Sequence, residues 1–253
     1  MSYFNLIIFG SGTCEPSLRR SPPGYLILTD NLKVLIDCGS GTIKRMLRFG
    51  VTYLNLDLIL ITHHHPDHIS DLVPLIFASK YSEPPRRKDL TILSGKGFKE
   101  FFKNVQKLFE PWLYPDKFDI NVKEMEEDLF QIKGFDIYSF PMAHIDTSIG
   151  FRIEDKNKRR IALSGDTDIS DNLIKLAKDV DIFVVESSFP DGMKKEGHLT
   201  PLLVGEVAMK ANVKKVVLTH INPIADNSSL LAGVEKFYSG DIMVAEDGMI
   251  FSL

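Results

Sequence analysis

Residues 59–71 place four potential metal ligands within six positions, directly after an apolar run. Residues 58–61 have the character of a β-strand, and Pro66 prevents that strand from continuing regularly. Ligands on a loop at a strand end can converge on one point, which ligands along a strand cannot. Imidazoles and a carboxylate suit zinc, iron or manganese, and they suit a dinuclear site if further ligands arrive from elsewhere. The four candidate ligands are His63, His65, Asp67 and His68.

A surface histidine cluster or an expression tag is the alternative interpretation of this stretch. A tag would lie at a terminus, and it would lack both the aspartate and the preceding strand. Under that alternative, five of the seven histidines would have no role. A metal site is therefore the favoured interpretation.

Length, composition and charge limit the class of protein. With 253 residues, of which 44% are apolar and 25% charged, the chain has the make-up of an ordinary globular protein. One α/β domain spanning residues 1–253 is the simplest expectation. The net charge of −4 gives no global attraction to nucleic acid, so RNA binding would need a local basic patch.

The N-terminal segment and the two cysteines favour a cytoplasmic protein. Residues 1–9 have no basic region before their apolar run, so we expect a first strand rather than a signal peptide. No apolar run approaches the roughly 20 residues that a membrane span requires. Cys14 and Cys38 are too few for a disulfide framework and too far apart for a Cys-x-x-Cys motif.

The hydrophobic pattern predicts strands and helices that alternate along the chain. Strands are expected at residues 6–9, 25–28, 33–37, 57–62, 90–93, 120–122, 135–140, 149–153, 160–163, 182–185, 216–218, 243–245 and 249–251. Helices are expected at residues 42–49, 71–80, 98–109, 171–178 and 201–211. This order predicts two sheets packed face to face and covered by helices.

Three further candidate ligands follow other predicted strands. His144, Asp166 and His220 each come soon after an apolar run. Each one alone could be a core or surface residue. Their recurrence at strand ends, together with the histidine loop, predicts that they complete a dinuclear site.

These motifs together resemble the metallo-β-lactamase superfamily. The matching features are the H-x-H-x-D-H pattern, the isolated His144, the Ser-Gly-Asp-Thr at residues 164–167 and the Thr-His at residues 219–220. The resemblance implies an α/β fold, the four-layer αββα sandwich, with metals at one edge between the sheets. It also implies that His63, His65 and His144 hold one divalent metal ion, that Asp67, His68 and His220 hold the other, and that Asp166 bridges both.

Four shorter motifs resemble the ribonuclease Z branch, which hydrolyses phosphodiesters, including the tRNA 3′ trailer. They lie at residues 10–12, 144–152, 185–189 and 197–200. In that branch the residues that match Glu186 and His198 assist catalysis together with the motif aspartate, here Asp67. Carried over, His198 would donate a proton to the phosphate or stabilise its charge, and Glu186 would orient it.

One departure limits this resemblance. Typical tRNA-processing members insert a long glycine- and proline-rich arm, which clamps tRNA, between the residues that match His144 and Asp166. Here the two residues are only 22 positions apart, so no arm fits. The basic residues at 156–160 could offer a small substitute, although a solvated hairpin tip is the simpler interpretation. Arg19 and Arg20 either meet a substrate phosphate or serve the surface.

The sequence thus predicts a metal-dependent hydrolase with two metal ions per chain, zinc by default and manganese or iron as alternatives. The leading hypothesis is a phosphodiesterase for a small or single-stranded phosphodiester, such as a cyclic or nucleotide diester. The first alternative is a tRNA 3′-processing endoribonuclease that grips RNA through another surface or through the partner in a homodimer. The second is a lactone or thioester hydrolase, which would not need the pair formed by His198 and Glu186.

Overall fold

The computed structural model describes residues 3–226 and 230–253, which form two seven-stranded mixed sheets flanked by helices. The strands are β1 (Phe4–Gly10), β2 (Gly24–Thr29), β3 (Lys33–Cys38), β4 (Leu58–Ile61), β5 (Leu90–Ser94), β6 (Ile120–Glu124), β7 (Leu129–Ile132), β8 (Phe135–Pro141), β9 (Ile149–Asp155), β10 (Arg160–Leu163), β11 (Ile182–Glu186), β12 (Lys215–Thr219), β13 (Asp241–Val244) and β14 (Ile250–Ser252). The helices are α1 (Thr42–Arg48), α2 (Pro66–Ile69), α3 (Leu72–Tyr81), α4 (Phe98–Leu108), α5 (Asp171–Ala177), α6 (Pro201–Lys210) and α7 (Leu230–Val234).

The strand order in the first sheet is β14-β1-β2-β3-β4-β5-β6, and in the second it is β13-β12-β11-β10-β9-β8-β7. Strands β3 to β6 run parallel to one another, as do β10 to β13. Because the carboxyl ends of parallel strands meet at the same edge of a sheet, the loops that follow them lie together. That edge receives the residues that the sequence singles out.

Side-chain alternation along the strands builds four layers. In β1, Leu6 and Ile8 belong to the core between the two sheets, whereas Ile7 and Phe9 belong to the core between the first sheet and its helices. A third apolar cluster lies between the second sheet and helices α5, α6 and α7. Strands buried on both faces read as continuous apolar runs, which is why they are visible in the sequence.

The predicted αββα sandwich is confirmed, and most predicted elements lie within one or two residues of the observed ones. Helix α1 ends before Gly50, which has a left-handed φ of 69° and donates its N–H to the carbonyl of Leu47. The hydrophobic pattern did not predict β7 or the short helices α2 and α7. Of the N-terminal segment predicted as a strand, Met1 and Ser2 lie outside the described residues. Among the described residues, no helix is both long enough and apolar enough to cross a bilayer.

The two sheets are joined at the edge that carries the loops. The N–H of Ile149 donates to the carbonyl of Thr62 at 2.9 Å, and Ile221 donates to Ser11 at 2.9 Å. Gly165 has a φ of 60°, and a Cβ placed on it would come within 2.7 Å of the Thr62 Cβ. Only glycine suits this position, so residue 165 fixes the sharp turn that directly precedes Asp166.

Asp57 lies far from that edge, and its ion pairs allow the electrostatic contribution to the free energy of unfolding to be tested. Its buried carboxylate pairs with the ammonium groups of Lys88 and Lys133 and accepts the N–H of Lys33 at 2.9 Å. Burial alone would raise the pKa of Asp57, but the two lysines hold it below its ordinary value of 3.8. A carboxyl whose pKa is lower in the folded state stabilises the fold above its unfolded pKa, and that stability is lost as pH falls through the folded pKa.

We therefore expect Asp57→Asn to reduce the free energy of unfolding at pH 7 by about 1–3 kcal/mol. The difference between the variant and the wild type should shrink as pH falls below about 4, because the carboxyl is protonated first in the unfolded chain and then, at its lower pKa, in the folded protein. Urea unfolding at several pH values measures both quantities. An equal difference at every pH would contradict the electrostatic explanation.

Candidate metal centre

The structure brings all seven residues predicted to hold metal to the shared edge of the two sheets. Their ligand atoms fall into sets whose members lie within 4.8 Å of one another. One set consists of His63, His65, His144 and Asp166, and another consists of Asp67, His68 and His220. A third set combines Asp166 and His220 with His198.

Five different segments deliver these side chains. His63 and His65 lie on the loop after β4, and Pro66 occupies the first position of α2, so Asp67 and His68 sit on that short helix. The remaining three residues follow β8, β10 and β12 of the second sheet: His144, Asp166 and His220. The site therefore depends on the packing of one sheet against the other.

The first ligand set is compact. His65 Nδ1 lies 3.0 Å from His63 Nε2 and 3.2 Å from His144 Nε2. Asp166 Oδ2 lies 3.7 Å from His63 Nε2 and 3.9 Å from His144 Nε2. Three ring nitrogens and one carboxylate oxygen thus surround a common point.

The second set takes the other oxygen of the same carboxylate. Asp166 Oδ1 lies 3.4 Å from both His68 Nε2 and His220 Nε2. Asp67 Oδ2 lies 3.7 Å from His68 Nε2 and 3.5 Å from His220 Nε2. Tetrahedral ligands about 2.0–2.1 Å from a zinc ion are separated by about 3.4 Å, so these spacings match such a shell.

Unpaired buried atoms test whether the residues fit a cation. Among the described residues, His68 Nε2, His220 Nε2 and Asp166 Oδ1 are buried without a hydrogen-bond partner. Leaving such an atom unpaired costs about 1–3 kcal/mol, so three of them facing one another need a further explanation. Imidazole nitrogens and a carboxylate oxygen are the donors that zinc, manganese and iron accept. The residues therefore fit a divalent metal ion.

Hydrogen bonds behind the histidines orient their rings. His144 Nδ1 lies 3.0 Å from the carbonyl oxygen of Gly197, which can only accept, so Nδ1 donates and Nε2 is free to face the cluster. His68 Nδ1 lies 2.8 Å from Asp37 Oδ2. Asp37 also accepts from the N–H and the hydroxyl of Thr62, both at 2.8 Å. Such partners fix the tautomer of a ligating histidine.

Sequence reasoning missed Asp37, which is fully buried and has a left-handed φ of 52°. Asp37 ends an apolar run, and His144, Asp166 and His220 come soon after such runs. The same criterion, a polar residue at a strand end, could therefore have identified Asp37. Its role behind a ligand depends on tertiary contacts that the run alone does not reveal.

Charge compensation keeps the central carboxylate ionised. Burial alone would raise the pKa of Asp166, but His220, His68 and His63 hold it well below its ordinary value. For His68, burial alone would lower the pKa. The carboxylates of Asp166 and Asp37 instead raise that pKa well above its usual range. Asp166 thus keeps the ionised form that a metal ligand requires.

Glu186 and His198, the predicted accessory pair, lie beside these sets and contact each other. Glu186 is buried at the end of β11, and its Oε1 accepts from His198 Nδ1 at 3.0 Å and from the N–H of Thr167 at 2.8 Å. The His198 side chain is 20% exposed, and its ring centroid lies 4.9 Å from that of His144. Burial would lower the pKa of His198, but the hydrogen bond that its Nδ1 donates to Glu186 raises it.

The other residues that the sequence singled out lie elsewhere. His64 stacks on Phe101 with ring centroids 4.9 Å apart and is in none of the ligand sets. Arg20 is buried and pairs with Asp226 at 2.9 Å, and Arg19 pairs with the same carboxylate at 3.2 Å. The two arginines thus meet carboxylates of the protein itself.

We expect Asp166→Ala to abolish metal binding in both sets, because its carboxylate is the one that sends an oxygen to each. Asp181→Ala is the control, since Asp181 directly precedes β11, at the opposite edge of the second sheet from the ligands, and pairs with Lys214. Metal per chain is measured by emission spectrometry on purified proteins, with circular dichroism to check folding. Two metal ions per chain in Asp166→Ala would contradict the bridging assignment.

The family model for the metallo-β-lactamase superfamily matches residues 20–220. The ribonuclease Z of Archaeoglobus fulgidus is 27% identical in an alignment that covers 97% of this chain and 96% of the relative. That alignment spans 303 positions, 50 more than the 253 residues of this chain, so the relative contains segments that have no counterpart here.

Solved structures share the fold. The metallo-β-lactamase fold protein YhfI from Bacillus subtilis superimposes with a TM-score of 0.87, at 22% identity and with complete coverage of both chains. A diphosphatase from the PhnP family superimposes with a TM-score of 0.76, at 20% identity, covering 100% of this chain and 98% of the other.

Proposed function

The chain belongs to the metallo-β-lactamase superfamily and is a metal-dependent hydrolase, and from that premise we propose that it is a phosphodiesterase for a small or single-stranded phosphodiester. The observation that carries this proposal is the pair formed by buried Glu186 and half-buried His198 beside the ligand sets. We further propose two divalent ions per chain, zinc first and manganese or iron as alternatives. When bound, such ions supply a nucleophilic water near neutral pH and neutralise charge on the reacting phosphate.

The accessory pair suits the departure of an alkoxide. Cleavage of a phosphodiester leaves a poor leaving group that benefits from a proton in the transition state. His198 Nδ1 is engaged by Glu186, which favours the charged imidazolium and leaves the other ring nitrogen available to a substrate. We assign His198 as the proton donor and Glu186 as the residue that orients it.

Asp67 is proposed to act in the same machinery. Its carboxylate contacts His68 and His220 and is 11% exposed, so it borders the point at which a substrate meets the ligand sets. Burial would raise the pKa of Asp67, but His220 and His68 lower it. As an ionised group at this border, it would both hold metal and orient the attacking water.

Two features of the chain bear on the proposed size of the substrate. Residues 144 and 166 are joined by β9 and β10, with no room for a tRNA-binding arm. The basic tip at residues 156–160 is partly neutralised, because Lys158 and Arg160 pair with Glu154 and Arg159 pairs with Asp155. These features support a small or single-stranded substrate over a folded RNA.

A tRNA 3′-processing endoribonuclease remains the second candidate, since the Archaeoglobus fulgidus relative is named ribonuclease Z and aligns over nearly the whole chain. This candidate needs RNA to be held by another surface or by the partner of a homodimer.

We expect His198→Ala to lower kcat for a dinucleotide by about 10²- to 10⁴-fold, while the metal content stays unchanged. The loss should be smaller on bis-p-nitrophenyl phosphate, because its phenolate departs with little need of a proton. His64→Ala is the control, since this histidine stacks on Phe101 away from the ligand sets. Equal turnover by His198→Ala and the wild type would remove His198 from the reaction.

A panel of three substrates separates the candidate functions. The wild type should hydrolyse bis-p-nitrophenyl phosphate with two metal ions per chain and release no trailer from precursor tRNA. Trailer release on a gel would favour the second candidate. Turnover of a lactone alone, surviving His198→Ala, would favour a lactone or thioester hydrolase.

A further inference from the structure

Ser188, two residues beyond Glu186, touches both the accessory pair and the metal ligands. Its buried hydroxyl oxygen lies 2.6 Å from Glu186 Oε2, 2.9 Å from His220 Nδ1 and 3.4 Å from His198 Nδ1. We infer that Ser188 is a positioning residue that fixes the tautomer of His220 and ties this metal ligand to the pair formed by Glu186 and His198. The inference rests on the proposed metal-dependent function.

The direction of the hydrogen bonds follows from counting protons. A serine hydroxyl has one proton to donate and two lone pairs with which to accept. Glu186 acts as an acceptor throughout, since the N–H groups of Thr167 and Ser188 both point to its carboxylate. At 2.6 Å the Ser188 proton therefore goes to Glu186 Oε2.

The hydroxyl must then accept from His220, which places a proton on Nδ1 of that ring. The other ring nitrogen, Nε2, is left with a lone pair directed at Asp166 Oδ1, 3.4 Å away, and has no hydrogen-bond partner among the described residues. A proton on Nε2 would block metal binding there. Ser188 thus prepares His220 as a ligand before any metal arrives.

The arrangement parallels that of the neighbouring ligand. Asp37 contacts His68 Nδ1 directly at 2.8 Å, whereas Glu186 reaches His220 Nδ1 through the Ser188 hydroxyl. A carboxylate behind a ligating imidazole raises its basicity and its affinity for metal. Through Ser188, the same carboxylate orients His198 and supports His220, so metal binding and proton donation share one residue.

The chain provides a matched control in the next residue along. Ser187 is buried like Ser188, but its hydroxyl has no hydrogen-bond partner among the described residues. Ser187→Ala and Ser188→Ala therefore remove the same atom from adjacent buried positions. Only the second removes a contact to a ligand.

The test is a titration of metal-free protein with Zn²⁺ against a chelating dye, with thermal unfolding measured alongside. We expect Ser188→Ala to weaken one of two zinc sites by about 10–100-fold. Ser188→Thr, which keeps the hydroxyl, and Ser187→Ala should bind within about threefold of the wild type, well short of that loss. In metal-free wild type, a two-bond ¹H–¹⁵N correlation spectrum should show the His220 proton on Nδ1, and Ser188→Ala should lose that preference.

The outcomes separate this inference from the proposed function. Wild-type protein that binds none of Zn²⁺, Mn²⁺ and Fe²⁺ would overturn the proposed function itself. Two zinc ions bound with equal affinity by wild type and Ser188→Ala would overturn only the role of Ser188. If Ser188→Ala does not fold, Ser188→Cys replaces it, because a thiol of similar size is a weak hydrogen-bond donor and acceptor and should show the same loss of affinity.

Discussion

The rest of the site depends on the electrostatic interaction between the buried carboxylate of Asp166 and the imidazoles around it. A desolvated charge is costly unless neighbouring groups compensate it, and here the compensation comes from imidazoles on both sides. Because each of its oxygens faces a different ligand set, the two sets must be held in one fixed relation. The turn at Gly165 and the loops after three other strands, β4, β8 and β12, are shaped to satisfy that requirement.

The sandwich supplies the necessary rigidity. The first sheet contributes the histidine loop and α2, and the second contributes His144, Asp166 and His220. The apolar core between the sheets sets the distance between these contributions. A change in that core would therefore reach the candidate metal centre as a displacement of one ligand group against the other.

Much of this arrangement could be predicted from the sequence, because it follows from strand ends. Long apolar runs predicted the buried strands, and polar residues after those runs predicted the candidate ligands. Strand β7 was not predicted, because it lies at the edge of its sheet with Leu129 and Gln131 exposed and therefore lacks a continuous apolar run. The roles of Asp37 and Ser188 were not predicted for a different reason. Each residue contacts a histidine that is distant in sequence, and only the tertiary structure reveals that contact.

The hydrogen bond between His144 and the carbonyl of Gly197 couples two parts of the site that look separate in the sequence. A Cβ on Gly197 would come within 2.8 Å of His144 Nδ1, and the residue has a left-handed φ of 78°. The loop that presents His198 is thus anchored to His144, a residue of the first ligand set. The exposed outer part of this loop at residues 191–195 makes no contact of that kind with a candidate ligand, whereas a side chain at Gly197 would displace His144, so the outer part can change without moving the ligand set.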